Sequence, residues 1–452
     1  MLKKVIKVFA TIILICLGAS VFAEEKSFTM VVYEKLIAQI DDSVWIIKDF
    51  KASPNLFSIG YVNKKSDKKF FVVGGNEQKQ YDGIWNLVFS PDSARFAYVA
   101  QLEKKQFVVV DGKEEKQYDG IWNLVFSPNS RRIAYEAVLD NDLFVIVDRK
   151  EAKHYKDRVG GTIFSPDSTR FAYVAQLKKK QFVVADGKEE KQYDGIGAPI
   201  FSPNSSRLAY VAKEREVYFV VVDGKEQTRY DGILKLIFSP NSEQLAYIAK
   251  TGINWFMVIN GKEQKKYYTI SSCIFSPDSR RTAYGAGVVN KECMIVDGKE
   301  GEKYDSIGSP IFSPDSKRLA YMAKIGKEQF IVIDGKEQKH YDGIASFIFS
   351  PNSERFAYVA IAAGNWFMVV DGKEGAKYDS IGSPIFSPDS KRLAYMGKIG
   401  NEQFIVVDGK DGKHYDQIII PSEKYIIFDS NENFHYLARK DNNIYLVEEK
   451  SK

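Results

Sequence analysis

Ten residues, Phe312-Ser313-Pro314-Asp315-Ser316-Lys317-Arg318-Leu319-Ala320-Tyr321, constrain this chain most, because their pattern returns nine times. The Phe-Ser-Pro-(Asp/Asn)-Ser core starts at Phe89, Phe126, Phe164, Phe201, Phe238, Phe275, Phe312, Phe349 and Phe386. Its eight spacings are all 37 residues except one of 38. Weaker copies flank the series at Ser53-Pro54-Asn55 with Tyr61 and at Phe428-Asp429-Ser430 with Tyr436. A fixed period of this size marks a unit that cannot bury its apolar face alone and stacks against copies of itself. The chain is therefore a tandem array of about eleven units, not the roughly three independent domains that its length alone suggests.

One unit, Ile311 to Ile344, illustrates the rest. Ile311-Phe312 ends a first strand (A), and Ser313-Pro314-Asp315-Ser316 places Pro where its fixed φ suits a type I turn. Arg318 to Ala323 is an apolar run without polar alternation, the pattern of a strand covered on both faces (B). A polar loop leads to Phe330-Ile331-Val332-Ile333 (C), which ends in Asp334-Gly335, a type I′ hairpin signal. Lys339-His340-Tyr341-Asp342 returns as a polar outer strand (D). β-Branched residues and fixed Pro and Gly offsets exclude helical repeats. The fold class is all-β: a β-propeller of about eleven four-stranded blades. The array forms either one wide ring or two adjoining rings. No linker interrupts the period, and Thr29 to Tyr33 and Asn443 to Val447 are both strand-like, as two halves of a closing blade would be.

The sequence Phe-Ser-Pro-Asp-Ser-x-(Lys/Arg)-(Leu/Phe)-Ala-Tyr, followed by a Val-rich strand and Asp-Gly, resembles the WD-like propeller repeat of TolB-type proteins. Similar repeats form the propellers of prolyl oligopeptidases and dipeptidyl peptidases. The likeness covers about residues 45–440 and implies the fold. It departs from both groups elsewhere: no TolB-like N-terminal domain fits between Glu24 and Trp45, and no Gly-x-Ser-x-Gly elbow of a peptidase occurs.

The repeated polar residues read as scaffold. The motif Asp (Asp92, Asp167, Asp278, Asp315, Asp389) exchanges with Asn (Asn129, Asn204, Asn241, Asn352), which suits an Asx-type turn and not a metal ligand. The following Arg, with Gln244 as the exception, is expected to pair with a turn or neighbouring-blade carboxylate. His154, His340 and His414 share one repeat position on separate blades and cannot converge on a metal. Cys273 and Cys293 fall on strands A and C with B between them, two strand spacings of about 4.8 Å and too far for a disulfide. No catalytic, cofactor or metal signature stands out, so the expectation is a non-enzymatic protein.

In a propeller the A–B and C–D turns share one face and the D–A and B–C connections share the other. The first face repeats almost unchanged, whereas variation collects on the second. Trp85, Trp122, Trp255 and Trp366 lie there; they either cap the core between blades or anchor a partner. Residues 1–23 read as a secretory signal with cleavage after Ala23, leaving 24–452 as the propeller array. Removing Lys3, Lys4 and Lys7 takes the net charge from +5 to +2, with both signs interspersed, which argues against nucleic acid. No stretch after the signal is long and apolar enough to span a membrane. The expectation is a periplasmic or secreted interaction scaffold that binds a protein. A glycan- or small-ligand-binding propeller is the alternative, and a propeller hydrolase or lyase a third.

Overall fold

The computed structural model describes residues 30–40, 50–421 and 424–451. The expected signal segment, with its cleavage after Ala23, lies outside them. Every regular element described is a β-strand, and the strands form eleven sheets in chain order, the blades of one ring. Blade 2 is representative: Gly83–Phe89 (A), Phe96–Leu102 (B), Lys105–Val110 (C) and Lys113–Glu114 (D) pair consecutively and antiparallel. Strand D resumes at Tyr118, which bridges to Gln106. Strands B and C carry the unbroken apolar runs, and the Ala-Tyr tyrosines are buried, at 0% exposed for Tyr98, 1% for Tyr210 and 4% for Tyr321.

The ring closes through both chain ends. The N-terminal strand Met30–Gln39 becomes strand D of blade 11 by pairing with Asn443–Ser451. Ala38, Ile40, Leu437 and Leu446 of that blade pack with Leu56 and Ile59 of blade 1. Glu34 accepts from Lys413 Nζ (2.5 Å) and Tyr415 Oη (2.8 Å). The same Lys-Tyr-to-Glu clasp joins Lys79 and Tyr81 to Glu114, and Lys116 and Tyr118 to Glu151. The choice between one ring and two is thereby settled as one ring of eleven.

The motif side chains bind blade to blade. In Ser-Pro-Asp-Ser the first Ser, such as Ser90, donates to Asp92 Oδ1 at 2.6 Å and accepts from the Arg95 N–H. The second Ser has a positive φ and accepts the N–H of the preceding blade's Asp or Asn: Asp92 N donates to Ser130 Oγ, Asn129 N to Ser168 Oγ, Asp315 N to Ser353 Oγ. Asp and Asn interchange because the turn asks the side chain to accept, which either oxygen does. The Arg pairs with the Asp-Gly aspartate of its own blade, at 2.8 Å for Arg170–Asp186 and 3.2 Å for Arg318–Asp334. Its Nη1 reaches the next blade's turn carbonyls, and its guanidinium lies over the next motif Phe, as Arg95 does 5.3 Å from the Phe126 centroid. Blade 6 explains the exception at Gln244: the aspartate there is also replaced, by Asn260, and Gln244 Nε2 keeps the bond to Ser279 O at 2.8 Å.

Candidate functional site

The two faces of the ring differ in how their polar groups are used. On the turn face the repeated Ser, Asp/Asn and Arg side chains satisfy one another. On the opposite face each Tyr-Asp-(Gly/Ser) aspartate caps the B–C loop of the blade it enters. Asp82 Oδ2 accepts from the Glu103 N–H at 2.6 Å, and Asp231 Oδ2 from the Gly252 N–H at 2.6 Å. A carboxylate also receives the starting Lys of strand C, as in Lys105–Asp119 at 2.5 Å, which holds the Asp119 carboxyl below its ordinary range.

The four tryptophans are strand residues rather than loop residues, and the structure does not bring them together. Trp85 and Trp122 sit on inner strands immediately before a bulge, where the pairing register shifts and Asn86 and Asn123 take φ values of 55° and 51°. Asparagine tolerates that left-handed conformation better than most residues. Trp255 and Trp366 are second residues of C strands, half-buried against the seams of blades 6–7 and 9–10. Lys250 Nζ covers the Trp255 ring at 5.3 Å. The three rim histidines instead stack on Phe144, Phe330 and Phe404 of their own blades at 4.0 to 4.2 Å. Cys273 and Cys293 are both buried and unpaired, and burial pushes the Cys273 thiol up to about 12.

One polar residue stands where every other blade is apolar or glycine. Glu136, in strand B of blade 3, occupies the place of Val99, Val174 and Met322, and is 0% exposed. Asn123 Nδ2 donates to its Oε2 at 2.7 Å and Thr162 Oγ1 to its Oε1 at 3.3 Å, with further hydrogen-bonding support from Trp122. Burial outweighs these donors and raises its carboxyl above the ordinary carboxylate range. The neighbouring inner strand runs alongside: a Cβ on Gly160 would stand in ordinary contact, 3.8 Å from Glu136 Oε2. Fully covered, this carboxylate touches no solvent and ties blade 3 to blade 4. The sequence carried its signal in Tyr135-Glu136-Ala137, a charge inside an otherwise apolar run, and in the 38-residue spacing beside it.

The largest exposed apolar side chains fall elsewhere. Ile253 (72%), Val289 (70%) and Tyr268 (59%) are the three most exposed large hydrophobics described. All three lie in the B–C loops of blades 6 and 7 or the connection between these blades, on the variable face; Leu234 of blade 6 adds a fourth at 52%. Tyr268, Thr269, Val288 and Val289 line a shallow hollow of about 460 Å³. Tyr268 stands where other connections have aspartate, so the irregular Tyr267-Tyr268-Thr269 marks the only described blade entry without its acidic cap. The break in the Tyr-Asp pattern is visible in the residues, but its consequence is not, because exposure at a loop depends on how two blades meet.

Among the described residues no helix is long and apolar enough to cross a membrane, and no cluster of His, Cys, Asp and Glu is grouped to hold a metal. No family model and no curated protein matches the sequence. Among solved structures the chain is similar to a eukaryotic initiation factor, at 12% identity over 71% of this chain and 95% of that one, TM-score 0.41. It is similar to the Dos1 propeller, at 12% over 66% and 94%, TM-score 0.32. It is also similar to the β-propeller domain of the Trilobed protease from Pyrococcus furiosus, at 15% over 56% and 94%, TM-score 0.29. These likenesses concern fold alone; the assignment as an eleven-bladed β-propeller rests on the chain's own sheet topology.

Proposed function

We propose that this protein is an exported, non-enzymatic scaffold that binds a partner protein through the D–A/B–C face of its ring. The observation that carries this reading is the grouping of Ile253, Tyr268 and Val289 on adjacent blades of one face. Apolar groups that gain nothing for the fold and cluster on rigid loops fit an interface, where large side chains in a desolvated centre supply most of the energy. The opposite face offers little such anchorage, because its repeated polar groups are already bonded to neighbouring blades. A wide ring also suits a macromolecule better than a small ligand. Eleven inner strands set at most about 10 Å apart enclose a bore of up to about 35 Å, too open to surround a compact ligand on most sides. The resemblance of the repeat to TolB-type propellers and the signal-like residues 1–23 favour the periplasm or the exterior as its place of work.

The test is capture of partners by the mature chain from an envelope extract of its own source. The expected result is a stoichiometric protein partner retained by the wild type and lost with Ile253→Asp and Val289→Asp, while Lys336→Ala and Lys373→Ala on the turn face retain it. Equal capture by all four variants overturns the reading.

A further inference from the structure

Of the ten described blade entries, nine share a device that the entry to blade 7 lacks. In each of the nine, an aspartate at the D–A connection accepts the first N–H of the following B–C loop, at 2.5 to 2.9 Å. At blade 7 that loop begins at Val289, with φ +38° at Val289 and +60° at Asn290, and the aspartate position holds Tyr268. Among the described residues none accepts a hydrogen bond from the Val289 N–H. The lysine that holds the aspartate in some blades, as Lys68, Lys105 and Lys180 do, is not part of this difference: blade 6 has Asn254 at that place, and blade 9 has Asn365 there beside an intact Asp379 cap.

The hollow beside this loop is lined by apolar Tyr268, Val288 and Val289 and by polar Asn290, Lys291, Glu292 and Asp305. Its charged groups are already engaged: Lys291 pairs with Asp305 at 2.6 Å, and Glu292 Oε2 accepts the Ile307 N–H at 2.8 Å. A ligand therefore meets one unclaimed backbone donor, the side-chain amide of Asn290 and an exposed apolar wall.

We infer that the B–C loop of blade 7 docks an acidic, apolar peptide segment of the partner, whose carboxylate takes the place of the aspartate missing at Tyr268. An adjacent apolar side chain of the same segment lies against Tyr268 and Val289. The nine intact blades are the internal precedent, since the same loop accepts a carboxylate in the same place. This inference rests on the variable face being the binding face.

The probes are dye-labelled N-acetyl-Phe-Glu-Leu-amide and its Phe-Gln-Leu counterpart, followed by fluorescence anisotropy with the mature chain. The wild type should bind the Glu peptide at least tenfold more tightly than the Gln peptide. Tyr268→Asp restores the ring's own cap and should abolish that preference while melting no lower than the wild type. Equal affinity for the two peptides, an unchanged preference in Tyr268→Asp, or no binding of the Glu peptide at millimolar protein overturns the inference. Partner capture separates this from failure of the face. A partner lost by Ile253→Asp but kept by Tyr268→Asp overturns the carboxylate cap alone; one kept by both overturns the face as well.

Discussion

The two faces of the ring are built from the same repeat yet treat its polar groups in opposite ways. On the turn face Ser130 answers Asp92 of the preceding blade and Arg95 reaches forward to Ser130 O, so each motif serves its neighbour. Uniformity there is a structural necessity, because any exchange must satisfy two blades at once. On the other face each Asp caps one loop, with a lysine of the preceding blade added at only some of them, and a blade can lose its cap without breaking the ring. Blade 7 has done so, and Tyr268 and Val289 stand out in consequence. Departures accumulate where a residue answers to fewer partners.

The largest effect should come from removing what both faces share. Tyr210→Ala empties a seam position and leaves Glu190 without the phenol that donates to it at 2.7 Å. A loss of about 3–5 kcal/mol is expected, read by denaturant unfolding. A loss within 1 kcal/mol would show that blades pack far more loosely than their burial implies.

Next, the faces should separate in binding. Ile253→Asp should weaken a captured partner by about 2 kcal/mol or more, roughly thirtyfold, with stability unchanged within about 0.5 kcal/mol. Trp366→Ala tests whether a half-buried rim aromatic contributes as well, against Lys336→Ala, for which exposed charge pairs suggest about 0–1 kcal/mol. A larger effect from the lysine would reverse the assignment of the faces.

Glu136 sharpens the comparison within the core. Its folded carboxyl is raised by burial, so the folded protein holds the proton more tightly than the unfolded chain. Stability should be greatest below the ordinary carboxylate range, fall as pH rises towards the raised folded value, and level off above it. Glu136→Gln keeps the shape and removes that slope, and should gain on the wild type by about 1–3 kcal/mol at neutral pH, the scale of an imperfectly compensated buried polar group. Parallel stability–pH curves for the two proteins would mean that the donors from Asn123 and Thr162 fully offset burial.

The smallest effect concerns blade 6. Gln244→Arg with Asn260→Asp restores the ion pair of the other blades, and a double-mutant cycle should return a coupling of about 0.2–1 kcal/mol that salt diminishes. Zero coupling would leave the bond from residue 244 to Ser279 O as the group's whole contribution.

Much of this was legible from residues alone. The 37-residue period dictated the blade, Pro and Asp-Gly placed its turns, and the Ala-Tyr runs told which strands would be covered on both faces. These features are local, and each is repeated often enough to read against its copies. The paired loss at Gln244 and Asn260 was present in the sequence but became intelligible only with the two side chains' places known, since sixteen residues separate them along the chain. The tryptophans stood out by type, yet their strand positions depended on a bulge that composition does not reveal.

Ring size was decided by tertiary structure alone. It depends on the wedge between neighbouring blades and on Met30–Gln39 finding Asn443–Ser451 across more than 400 residues, a pairing that no local propensity encodes. The same is true of Glu136, whose donor Thr162 comes from the next blade, and of the uncapped Val289 loop, which lies beside Tyr268 of the preceding connection. The sequence by itself determined the repeating unit, because backbone sterics and apolar burial act within about forty residues. The closure of that unit into eleven blades, and the Val289 loop where, among the described residues, a donor and an apolar wall stay uncovered, arise between units, where only packing in three dimensions brings the partners together.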